Sequence, residues 1–80
     1  MSLNRLQQVF VAALGVSADC DFELLQAGTV PEWDSVGRMN LVLELERTFG
    51  ITLSKEDVFD LDTFGRAREI VSRHGVDSST

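Results

Sequence analysis

Residues 33–51 read WDSVGRMNLVLELERTFGI, and the reading of this stretch decides the fold. Asp34 is a residue type that accepts hydrogen bonds from the first turn of a helix, and Gly50 stands where a left-handed C-terminal glycine belongs. Between them the pattern predicts a helix from Ser35 to Phe49. Leu41, Val42, Leu45 and Phe49 form one apolar stripe. Val36, Met39 and Leu43 form a second, which runs back to Ser35. A helix with so wide an apolar surface needs neighbours on two sides. Ser35 opens the helix with its hydroxyl toward water, and no residue nearby is a base that could activate it.

The neighbours follow outward along the chain. From Ser2 to Leu14 the apolar residues Leu3, Leu6, Phe10, Ala13 and Leu14 recur at helical spacing, with Ser2 as the expected N-cap and Gly15 as the stop. Residues 16–33 keep no period. A loop this long is expected to be held by its own apolar residues, Phe22, Leu24, Leu25, Val30 and Trp33, with a short helical turn near Asp21–Gln26. After Ile51 and Leu53, Ser54-Lys55-Glu56-Asp57 has the form of a capping box and predicts a short helix to about Asp60. Thr63 or Asp62 then caps a last helix to Arg73. Phe64, Ala67, Ile70 and Val71 are its buried face, Gly75 its end, and residues 76–80 a frayed tail. No segment alternates like a strand. The expected architecture is all-α: a small four-helix bundle, ordered over about residues 3–73, with a short third helix and a long loop between helices 1 and 2.

Eighty residues make a single domain, 1–80, with a small core. Thirteen acidic residues against seven basic ones give a net charge of −6, which disfavours nucleic acid and anionic membranes and suits partners with basic patches. Cys20 is the one cysteine, so no internal disulfide can form; this fits a reducing, cytoplasmic setting. The start, MSLNRLQQVF, does not read as a signal peptide, and no run approaches the roughly 20 apolar residues of a membrane span. With no spare apolar stripe beyond the one beside Ser35, a monomer is expected.

The chain carries no catalytic set. His74 falls at the end of the last helix and reads as a solvent-facing residue suited to that position. Cys20 stands between aspartates rather than bases and reads as a small structural residue. Asp60, Asp62 and Gly65 fall at positions one, three and six of a calcium loop, but Phe64 and Val71 hold positions five and twelve, where ligands are required. No metal site is therefore expected. No glycine-rich phosphate loop is present, and the basic residues are scattered. A hydroxyl at a helix N-terminus can, however, carry a phosphate beside free backbone N–H groups and the positive end of the helix dipole.

The motif Trp33-Asp34-Ser35-Val36, followed by Met39-Asn40-Leu41-Val42-Leu43-Glu44-Leu45-Glu46 and Phe49-Gly50-Ile51, resembles the acyl carrier proteins of the phosphopantetheine-attachment family. The likeness covers about residues 3–73, with Ser54 to Asp57 and Asp62-Thr63-Phe64 matching the starts of that family's third and fourth helices. The resemblance implies that Ser35 is esterified with 4′-phosphopantetheine from coenzyme A by a phosphopantetheinyl transferase, and that Asp34 supports the transferase magnesium. The chain would then not be an enzyme. It would hold an acyl group, or a related carboxylate, as a thioester and present it to partners. These would be an acyl- or aminoacyl-loading ligase and downstream synthase or transferase enzymes.

On that reading Val36, Met39 and Leu43 form the apolar centre of a docking patch, with Glu44 and other acidic residues steering basic partners. Leu41, Val42, Leu45 and Phe49 pack inward with Leu6, Phe10, Phe64 and Val71. Many fatty-acid carriers keep an acidic face after the serine. Here Gly37, Arg38 and Asn40 follow, with Arg47 further on, so a less negative face is expected. This form is similar to standalone carriers of specialised pathways, including aminoacyl and D-alanyl carriers. The alternative is a helical adaptor that keeps the bundle and bears no prosthetic group.

Overall fold

A computed structural model describes residues 3–76 of the chain. It contains four α-helices: α1 (Arg5–Leu14), α2 (Ser35–Phe49), α3 (Lys55–Phe59) and α4 (Phe64–Arg73). A 3₁₀ turn, Phe22–Leu24, interrupts the long loop between α1 and α2. Among the described residues no strand forms; one isolated bridge pairs Gln26 with Thr63. No helix there is long and apolar enough to cross a membrane. The all-α four-helix architecture, with its short third helix and long first loop, is as the periodicity predicts.

Local chemistry sets the boundaries. Asp34 caps α2 by accepting the Gly37 N–H at 2.9 Å, and Gly50 closes it with φ 65°. Ser54 and Asp57 form the expected reciprocal box at the start of α3. Thr63, rather than Asp62, caps α4 by accepting the Arg66 N–H. Helix α1 differs from expectation. Ser2 lies outside the described residues, and the cap is Asn4, whose side chain accepts the Gln7 N–H while Gln7 Oε1 accepts the Asn4 N–H. A full capping box so placed shortens the helix at its start. Of the expected frayed tail, residues 77–80 also lie outside the described residues.

The interior joins all four helices and the loop. Leu6, Phe10, Leu41, Val42, Leu45, Phe49, Phe64, Ala67, Ile70 and Val71 are buried together, as expected from their spacing, with Val9 and Leu61 added. Phe10 sits at the centre, edge-on to Trp33 at 5.3 Å and to Phe64 at 4.9 Å between ring centroids. Phe22 extends this group through Phe64.

The loop is anchored through its backbone as well as its side chains. Leu25 O accepts the Phe64 N–H and Asp62 O accepts the Ala27 N–H, which bolts the loop to the α3–α4 turn. One expectation fails here. Leu24 does not pin the loop, being 72% exposed. A 3₁₀ turn repeats every three residues, so Phe22 and Leu25 share the inner face and Leu24 is turned outward.

The chain through α3 returns from the C-terminal end of α2 toward its N-terminal end. Glu46, near the C-terminal end of α2, accepts the Leu53 N–H just before α3 begins. Arg38, in the first turns of α2, reaches the carbonyls of Val58 and Leu61 where α3 ends. The end of α3 therefore lies beside the same end of α2 that bears Ser35.

Candidate functional site

Ser35 is exposed as the first residue of α2. The cap by Asp34 and the Asp34 carbonyl take the Gly37 and Arg38 N–H groups. The N–H groups of Ser35 and Val36 remain as the helix's unspent first-turn donors. An anion on the Ser35 hydroxyl thus lies at the positive end of a 15-residue helix. The site consists of an open hydroxyl, an acidic neighbour and a rigid mount. Those residues suit a covalently attached phosphate, and the carboxylate beside the hydroxyl, Asp34, has its Oδ1 engaged by the Gly37 N–H.

Gly37 explains how the mount is made. It is buried, and a Cβ placed there would stand 1.9 Å from the Glu32 carbonyl oxygen and 3.1 Å from Leu14 Cδ2. The segment entering α2 and the C-terminal end of α1 therefore close directly on the helix backbone. Only glycine allows that approach. Trp33, buried one residue before the cap, fastens the same entry from below through Phe10.

The second apolar stripe stands out from the surface as expected: Val36 is 69% exposed, Met39 51% and Leu43 59%. Exposed apolar side chains grouped on one face mark contact surfaces. Phe59, which the sequence pattern did not single out, is 73% exposed at the end of α3. Its position became readable only once α3 was seen to run back along α2. Glu32, Asp34, Glu56 and Asp60 are exposed acids on the segments around this face.

The charges on α2 are arranged differently from expectation. Arg38 does not point onto the face. Its Nη1 donates to Val58 O at 2.8 Å and Leu61 O at 2.7 Å, and its Nη2 pairs with Asp62 at 2.8 Å. With Gly37 buried and Arg38 turned inward, neither dilutes the acidity of the exposed stripe. Glu44 pairs with Arg47 at 2.5 Å, and this carboxylate raises the pKa of the Arg47 guanidinium by hydrogen bonding first and by charge second. Glu44 thus presents a pair rather than a bare charge.

His74 is not merely solvent-facing. Its Nε2 donates to Asp57 Oδ2 at 2.9 Å, tying the end of α4 to the start of α3. Arg73 lies 3.5 Å from the other oxygen of the same carboxylate. The His74 hydrogen bond lowers the Asp57 pKa, burial opposes it, and the Ser54 N–H and hydroxyl reinforce the lowering. This cluster belongs to the bundle's framework, one helix away from Ser35. Cys20 is half-buried against the core. Among the described residues no group of three or more His, Cys, Asp or Glu side chains is placed to hold a metal ion.

The family described as "Phosphopantetheine attachment site" matches the chain over residues 4–71. No curated protein and no solved structure matches it. The matched span takes in α1, α2 and α3, the loop between the first two, and α4 as far as Val71.

Proposed function

The chain belongs to the phosphopantetheine-attachment family, and from that membership we propose that it is a discrete acyl carrier protein with Ser35 as its attachment residue. The family carries covalently bound 4′-phosphopantetheine, and a carrier function in this general sense follows from membership. The observation that supports Ser35 is its exposure as the first residue of α2, beside the exposed carboxylate of Asp34. When bound, the arm supplies a thiol that holds a carboxylate cargo as a thioester. The chain's own part is to hold the serine open on a rigid helix end and to offer a surface for docking. Asp34 is assigned to the transferase magnesium.

Val36, Met39 and Leu43 are assigned as the apolar centre of the docking patch, with Glu44 and the exposed acids at its edge. Their exposure on the Ser35 side of α2 supports this. A partner so received has an apolar pocket rimmed by basic residues. The partners in this reading are a phosphopantetheinyl transferase, an acyl- or aminoacyl-loading ligase and the enzymes that consume the cargo. The setting is cytoplasmic, the carrier monomeric, and the pathway a specialised one. The chain acts as a carrier, and as a substrate of the transferase, rather than as an enzyme.

Ser35→Ala tests this reading against the adaptor alternative. A carrier loses all thioester loading while its fold and docking surface persist. An adaptor keeps its full activity when the hydroxyl is removed.

A further inference from the structure

The cargo on such an arm has two places to be: in water, or in the bundle interior. An interior site has to be opened along a seam between helices, and the seams of this chain are fastened by polar contacts. Asp57 and His74 join α3 to α4. Glu23 pairs with Arg68, and Leu25 accepts from Phe64, joining the loop to α4. Arg5 lies over the Phe49 ring between α1 and α2. One seam beside the arm's root runs between α2 and α3, and it is fastened at both ends. Glu46 holds the Leu53 N–H at the far end at 2.9 Å. Arg38 holds the near end, one helical turn after Ser35 and on the same side of the helix.

The Arg38 fastening is the stronger of the two. Its charged fork takes two main-chain carbonyls, Val58 and Leu61, and the Asp62 carboxylate, all between 2.7 and 2.8 Å. Leu61 is fully buried, so the fork is tied to the floor of the core rather than to a mobile edge. Asp62 passes the constraint on, because its carbonyl accepts the Ala27 N–H of the long loop. Parting α2 from α3 here strips a guanidinium of three partners and leaves the Leu61 carbonyl unpaired beside an apolar interior, while the Val58 carbonyl keeps the Leu61 N–H.

We propose that Arg38 is a latch that bars cargo from the bundle, so that this carrier keeps its thioester in water and is suited to short or polar carboxylates rather than long apolar acyl chains. The proposal rests on the carrier reading with Ser35 as the arm's root. An apolar chain gains about fourfold in favour of a sheltered state for each methylene it buries. A bundle able to open would therefore protect a long chain strongly and a short one hardly at all.

The test uses the full chain loaded by a phosphopantetheinyl transferase from acetyl- or octanoyl-coenzyme A. In that transfer the serine oxygen bonds to the phosphorus bearing the pantetheine arm. The pyrophosphate bond breaks, adenosine 3′,5′-bisphosphate leaves, and the serine proton passes to solvent. Cleavage of each thioester by hydroxylamine is then followed by intact mass. The wild type is expected to lose acetyl and octanoyl groups at rates within about threefold of each other, the margin being less than one buried methylene. Arg38→Ala is expected to slow octanoyl cleavage by about tenfold or more while leaving acetyl cleavage unchanged. If circular dichroism shows that Arg38→Ala does not fold, Arg38→Met, which keeps an apolar stem in the seam, replaces it. Strong protection of octanoyl in the wild type overturns the proposal. So does a folded Arg38 variant that protects octanoyl no better than the wild type. Failure of either coenzyme to add mass, with a transferase active on another carrier, overturns the carrier reading beneath it instead.

Discussion

The backbone of Gly37 lies directly against the carbonyl of Glu32, so close that a methyl group on Gly37 would overlap that oxygen at 1.9 Å. Glycine in a helix interior is ordinarily a cost of about 0.5–1 kcal/mol relative to alanine. Here the sign reverses. Gly37→Ala is expected to lower stability by about 1–3 kcal/mol, because the entry segment and Leu14 must shift to admit the methyl. Urea unfolding reads this directly, with Gly28→Ala, where nothing lies within 4 Å, as the neutral control. A stabilised Gly37→Ala would show that the segment before α2 moves without cost.

Asp57 gives the bundle a defined response to acid. Its carboxyl pKa is held below the ordinary 3.8, chiefly by the hydrogen bond from His74. A carboxyl depressed in the folded state contributes stability that is fully present above its unfolded value. That contribution is lost as pH falls through the folded value. Melting temperature should therefore hold its Asp57 share above about pH 4 and lose it below that. Asp57→Asn is expected to cost about 1–3 kcal/mol at neutral pH and to flatten the acid limb of the melting curve. Acid limbs of equal slope in both proteins would remove Asp57 from the account.

Trp33 carries a buried indole Nε1–H that finds no acceptor. Its contribution to the fold is therefore its ring, packed edge-on to Phe10. Trp33→Phe removes the unpaired donor and keeps an aromatic surface, so its loss should stay within about 1 kcal/mol. Trp33→Ala should cost about 3–5 kcal/mol. Thermal unfolding of the two variants separates the contributions; a Trp33→Phe loss well above about 1 kcal/mol would show that the indole nitrogen is satisfied in solution.

Much of this was legible in the chain. Asp34, Gly50, Ser54 and Thr63 announce the helix ends because capping acts over three or four residues, within reach of a sequence pattern. The split of α2 into a buried and an exposed stripe was legible for the same reason. What the pattern could not carry is contact across the fold. Arg38 read as a surface charge because its partners lie 20 to 24 residues away. His74 read as solvent-facing because Asp57 meets it only after α4 folds back on α3. Asn4 took the place expected of Ser2 because Gln7 could complete its box. Phe59 gained meaning only from the return of the chain through α3 toward the start of α2.

The docking patch makes a separable claim. Met39→Ala and Leu43→Ala remove exposed side chains, so unfolding should change by no more than about 0.5 kcal/mol. If these residues meet partners, kcat/KM for modification by a phosphopantetheinyl transferase should fall about tenfold for each, as expected for central apolar contacts. Unchanged kinetics for both variants would move the docking surface elsewhere, with exposed Phe59 as the next residue to alter.

The central claim is that Ser35 bears the arm. The most direct measurement is intact mass after incubation with coenzyme A, magnesium and a broad-specificity phosphopantetheinyl transferase, with Ser35→Ala alongside. The account predicts a gain of one phosphopantetheine on the wild type and none on Ser35→Ala. A gain on both proteins, or none on a folded wild type under conditions that modify another carrier, would contradict it.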